Sequence, residues 1–152
     1  MSAPDGSEAR RGARALGLDL GQRTIGVAVA DSAGILAVPV CTIERTRGDF
    51  SAHDEVARLV DELGVAVVVI GVPFSLDGRV GPAARTVLHE SRVLEEKLSP
   101  TGVRVVNHDE RFTTVQAHKE LASAGKASRD RRKVVDSSAA TVLLQAWLEA
   151  GD

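Results

Sequence analysis

The sequence predicts an α/β domain built on a five-stranded mixed sheet with helices on both faces. Three features carry that expectation. Two short apolar runs near the start are split by a three-residue turn, one β-branched run in the middle is unbroken, and apolar residues recur at helical spacing between and beyond the strands.

Residues 15–20 and 24–30 are the two apolar runs, and Gly21-Gln22-Arg23 between them reads as the turn of a hairpin. A third strand is expected over 35–43, where Pro39 places it at a sheet edge. The period then changes. Val56, Leu59, Val60 and Leu63 share one helical face behind Ser51, which forms a candidate capping box with Asp54, and Gly64 closes the helix. Residues 65–70 are apolar and mostly β-branched, the pattern of a strand buried on both faces. A loop over 71–78, a helix over about 82–98 and a fifth strand over 103–106 follow. Thr113 and Gln116 are expected to cap a short helix to about 124, and a last helix is expected over 134–149. The order β-β-β-α-β-α-β-α-α implies three antiparallel strands followed by two helix-linked parallel ones.

A length of 152 residues fits one domain with a core of its own, expected over 13–152. Residues 1–12, rich in Ser, Pro, Gly, Ala and charge, read as a disordered leader. The formal charge of −2 gives no bulk excess of positive charge, so any nucleic-acid surface must be local. Cys41 is the one cysteine, which suits a reducing compartment and a packed thiol. No apolar stretch has membrane-spanning length and no signal core follows the basic start, so a cytoplasmic protein without membrane contact is expected.

Three acidic positions are poorly explained by solvation. Asp19 ends the first strand, with the small residues Ala15 and Gly17 on its side by alternation. On the last helix Ala140, Leu143 and Trp147 lie within roughly 40° of Asp136 at about 100° per residue, which centres Asp136 on the buried face near the helix start. Lys133 or a metal would offset a carboxylate there. The run His108-Asp109-Glu110-Arg111 follows the fifth strand, where open α/β sheets place ligands. Asp109 and Glu110 point to opposite faces, and spacing alone leaves open which enters a site. His53, His89 and His118 read as surface residues on helices, and His108 as structural. Carboxylates on two strand ends and a helix start can hold one or two Mg²⁺ (or Mn²⁺) ions for phosphodiester cleavage.

A charge cluster supplies the substrate expectation. Between Arg111 and Lys133 seven Lys or Arg face two acidic residues, and Lys126, Arg129, Arg131, Arg132 and Lys133 form a basic loop just before Asp136. Phosphate binding follows from that position. Three Phe, one Trp and no Tyr argue against a base-stacking platform, so backbone and shape should be recognised.

Four segments, Leu18-Asp19-Leu20-Gly21-Gln22-Arg23-Thr24-Ile25-Gly26-Val27-Ala28, Val69-Ile70-Gly71-Val72-Pro73-Phe74-Ser75-Leu76-Asp77-Gly78, Asp109-Glu110-Arg111-Phe112-Thr113-Thr114 and Lys133-Val134-Val135-Asp136, resemble in order the motifs of the YqgF/RuvX family. Gln22 and Phe74-Ser75-Leu76 depart from the usual pattern without touching an acid. The resemblance implies a ribonuclease H-like fold and a nuclease that matures the 5′ end of pre-16S ribosomal RNA, with a link to Holliday junction resolution. It implies Asp19, Glu110 and Asp136 as the catalytic, metal-holding triad, Glu110 being favoured over Asp109 for its reach. Arg23, Arg111, Thr113 and Thr114 would then join the basic cluster as nucleic-acid contacts. The partner would be structured RNA or, for a resolvase cutting two strands symmetrically, branched DNA bound by a homodimer with Cys41 as a candidate contact. The rival of another class is a non-catalytic nucleic-acid binding module. An actin-like ATPase, suggested by the Asp-x-Gly hairpin, would need a second such domain.

Overall fold

The structure is a computed structural model that describes residues 14–46, 49–111 and 129–150, with the backbone alone for 129–138. The expected leader and the expected helix over 113–124 lie outside the described residues. Among the described residues five strands are formed: β1 Arg14–Leu20, β2 Thr24–Ala30, β3 Ala37–Glu44, β4 Val65–Val72 and β5 Arg104–Asp109. The helices are α1 Ala52–Leu63, α2 Pro82–Leu98 and α3 Arg129–Ala150. The sheet order is β3-β2-β1-β4-β5, antiparallel across β1–β2–β3 and parallel across β1–β4–β5, the mixed sheet the sequence predicts. Among the described residues no helix is long and apolar enough to cross a membrane.

Alternation divides the strands between two cores. Leu16, Leu18, Val27, Val68 and Ile70 face α1 and α2. Ala15, Ala28, Ala30, Ala37 and Val69 face α3, packing on Ala140, Leu143, Leu144 and Trp147. The second face is built of small residues because α3 lies close to it. A Cβ on Gly17 would stand 2.8 Å from Leu144 Cβ and 3.0 Å from the Ala140 carbonyl. Farther along α3 the Gln145 side chain meets the far end of the sheet, accepting from the Ala37 N–H at 2.9 Å and donating to the Ile35 carbonyl at 3.0 Å. Ala37 pairs with Ala30, beside the start of β1. The helix therefore runs antiparallel to β1, and its N-terminal half extends toward the strand ends that follow Leu18.

Several local expectations change. β3 begins at Ala37, because the Asp31 carboxylate accepts the Ile35 and Leu36 N–H groups and holds those residues in an exposed turn. Pro39 does lie on an edge strand, at a register shift between Val27 and Ala28. Gly64 ends α1 in the left-handed conformation, φ 65°. The capping box does not form. Ser51 is already helical in φ and ψ and makes no side-chain cap, while its own N–H donates to Asp49. β5 continues through Asp109, and α3 starts at Arg129 instead of 134. Arg129, Arg131, Arg132 and Lys133 therefore lie in the opening turns of a helix and not in a loop. Asp136 stands beyond the first turn, where the helix dipole has largely faded.

Candidate active site

Asp19 is 3% exposed and lies on the α3 face of β1, opposite Gly26 of β2. Glu110 is fully buried directly after β5, with its N–H donating to the Val72 carbonyl at 3.3 Å. Its carboxylate turns to the same face. A Cβ on Gly71 of β4 would lie 2.5 Å from Glu110 Oε2 and 3.0 Å from Leu143 of α3. Since β4 separates β1 from β5, the glycine leaves space for a carboxylate reaching toward the centre of the sheet.

Asp109 behaves differently. It is part-exposed, and its Oδ2 accepts from Arg111 Nε at 2.8 Å while Oδ1 accepts the Arg111 N–H at 2.9 Å. The Arg111 hydrogen bond, opposed by partial burial, holds the Asp109 carboxyl below the usual range. Two adjacent acids at one strand end thus divide: Asp109 braces an arginine and Glu110 enters the face shared with Asp19. Arg111 also lies 6.0 Å over the Phe74 ring and close to Gly78, which ties it to the loop after β4. Position 136 is one helical turn before Ala140, on the part of α3 that extends toward the Asp19 end of β1. The side chains of Asp136, Arg129, Arg131, Arg132 and Lys133 are outside the described residues, as are Thr113, Thr114 and Lys126 altogether. Arg23 is exposed at the tip of the β1–β2 turn. Among the described residues no group of three potential metal-ligating side chains is assembled.

A second buried charged group escapes the sequence reading. His53 is 1% exposed and not on the surface, whereas His89 is exposed. His53 Nε2 lies 2.7 Å from Glu90 Oε2, and Arg45 pairs with both oxygens of the same carboxylate. Arg45 Nε donates to the Gly21 carbonyl at 3.0 Å. The sequence does carry a signal for it: His53 precedes Val56 and Val60 on the apolar stripe of α1, and Glu90 lies between Val87 and Leu94 on that of α2. A charged residue inside an apolar stripe requires a buried partner.

Burial pushes the Glu90 carboxyl up, but hydrogen bonds from His53 and Arg45 outweigh it and leave the group below its ordinary 4.5. A depressed carboxyl contributes stability that is present above its unfolded value and lost as pH falls through the folded one. The expected result is a decline in unfolding free energy below about pH 4.5. Glu90→Gln, less stable than the wild type near pH 7, should converge on it as the pH falls; a constant gap in urea titrations from pH 7 to 3 would contradict this assignment.

Comparison with known proteins agrees with this architecture. Residues 13–150 match the sequence model of a family described as RuvX, Holliday junction resolvase. A protein of Mycobacteroides abscessus named "Putative pre-16S rRNA nuclease" is 43% identical over 136 residues, 90% of this chain and 81% of that protein. One of the same name from Clostridium beijerinckii is 40% identical, over 90% of this chain and 96% of its own length. Among solved structures, Thermus thermophilus RuvC in complex with a Holliday junction substrate superposes with a TM-score of 0.58 at 15% identity, over 91% of this chain and 95% of that one. The fowlpox virus resolvase bound to Holliday junction DNA gives 0.54 at 11% identity, over 90% and 97%. At such identities the two likenesses establish the fold, which is ribonuclease H-like.

Proposed function

This chain belongs to the RuvX family and is a nuclease, and we propose that it hydrolyses phosphodiester bonds of precursor 16S ribosomal RNA in the cytoplasm, using Asp19, Glu110 and Asp136 to hold Mg²⁺ (or Mn²⁺). The observation that carries the site is the burial of Asp19 and Glu110 on one face, at the ends of β1 and β5, with a glycine on the intervening β4 whose Cβ would displace the second carboxylate. Position 136 completes the set from the helix that crosses this face. The donors are all carboxylate oxygens, the ligand type that Mg²⁺ prefers. Such an ion, when bound, supplies Lewis acidity toward water and charge compensation at the leaving oxygen.

The remaining chemistry belongs to the chain. The strands fix Asp19 and Glu110 in place, so little reorganisation is needed when substrate arrives. Arg111, held by Asp109 and Phe74, is a pre-oriented cation beside the site. Arg23, with Thr113, Thr114, Lys126, Arg129, Arg131, Arg132 and Lys133, would meet phosphates along the strand on either side. Affinity would then fall steeply with salt and depend weakly on base sequence.

The test is incubation of the purified chain with Mg²⁺ and either a precursor 16S fragment or a four-way DNA junction. Metal-dependent cutting of the RNA, with the junction left intact, is expected. Paired symmetric cuts in the junction by a dimer would replace this reading with a resolvase, and RNA binding without cleavage of either substrate would replace it with a binding module.

A further inference from the structure

We propose that Arg45, held by a Glu90 carboxylate that His53 also meets, is a positioning residue for Asp19; this rests on the reading of Asp19 as a site residue. Arg45 grips the β1–β2 turn at both ends. Its backbone N–H donates to the Arg23 carbonyl at 2.8 Å, and its guanidinium Nε and one terminal nitrogen donate to the Gly21 carbonyl. Gly21 in turn donates its N–H to the Asp19 carbonyl at 3.2 Å and to the Thr24 carbonyl at 2.9 Å, so the gripped residue is hydrogen-bonded directly to the backbone of the acid.

The other edge of the guanidinium is fixed from the helical layer. Arg45 terminal nitrogens pair with both Glu90 oxygens, one of which also meets His53 Nε2. The three side chains are no more than 5% exposed. His53 is stacked on Phe50, with ring centroids 4.9 Å apart and planes 8° from parallel. A buried ionic group of this kind contributes little net stability for the desolvation it costs. A planar fork engaged on two edges does restrict geometry, since the carbonyl and the carboxylate must keep one spacing to satisfy it. The chain therefore runs from α1 and α2, through a rigid guanidinium, to the turn that follows Asp19.

Lysine at 45 keeps the charge but can serve one edge at a time. Arg45→Lys is therefore compared with Leu98→Ala, which opens the same core two turns along α2 from Glu90 without touching the clamp. Two readouts are taken at a temperature where both variants are folded: kcat and KM for RNA cleavage, and hydrogen exchange of the Gly21 amide. For Arg45→Lys, kcat should fall about tenfold or more with a smaller change in KM, and Gly21 exchange should accelerate about tenfold. Leu98→Ala should leave both near wild type after allowance for stability. Equal kcat in the two variants, or unchanged Gly21 exchange in Arg45→Lys, overturns the proposal. If the wild type cleaves no RNA, the nuclease reading fails by itself, and the exchange measurement still decides whether Arg45 holds the turn.

Discussion

Asp19→Asn is expected to lower kcat for RNA cleavage by about three orders of magnitude while RNA binding stays within about twofold. Asparagine keeps the size and planarity of the side chain, so the close surroundings of Asp19 on the α3 face need not move. What it removes is the negative charge. A carboxylate that acts in the transition state and not in substrate binding shows this split, a fall in kcat with KM preserved. Single-turnover cleavage and filter binding on one RNA check both halves. Loss of binding in parallel with loss of cleavage would mean that Asp19 supports the fold or the substrate surface and not the chemistry. Asp109→Asn is the internal contrast: it frees Arg111 from its ion pair, so it should weaken RNA binding more than it lowers kcat.

Gly71→Ala is the second large effect. The added methyl would lie 2.5 Å from Glu110 Oε2 and 3.0 and 3.2 Å from the two Leu143 methyls. Glycine is required here by contact and not by backbone conformation, because Gly71 is not among the positive-φ glycines. Overpacking against Leu143 should cost about 1–3 kcal/mol in unfolding free energy. Displacing the carboxylate by about 1 Å should lower kcat roughly a hundredfold. Thermal melts and steady-state cleavage measured together separate the two costs. A variant that loses stability but cleaves at the wild-type rate would remove Glu110 from the site.

The parts of this architecture that depend on local pattern could be read directly from the chain. The β-branched run before Gly71 announced a central strand, and it proved to be β4, flanked by β1 and β5. The small residues Ala15 and Gly17 pointed to room for something to approach on the Asp19 face, whereas at Gly17 that room is filled by α3 of the same chain. Alternation also foresaw that Asp109 and Glu110 would diverge; the ion pair to Arg111 and the contact at Gly71 show which way. What remained hidden depends on contacts between residues distant in sequence. Arg45 lies in a polar run that reads as loop, and its meaning comes from Gly21 and Glu90, 24 and 45 residues away. Ser51 looked like a cap because its identity and spacing fitted. The Asp49 carboxylate takes its N–H, and the φ and ψ of Ser51 are already helical. A basic run carries no apolar period, so the sequence pattern predicts α3 from 134 and not from Arg129, although Arg and Lys are good helix formers.

The central claim is that three carboxylates act together, and Asp136 is the member contributed by α3. The most direct measurement is Mg²⁺-dependent cleavage of precursor 16S RNA by the wild type and by Asp136→Asn, with RNA binding recorded on the same samples. Cleavage lost in the variant while binding persists is the result the account predicts. An Asp136→Asn protein that cuts at the wild-type rate would contradict it.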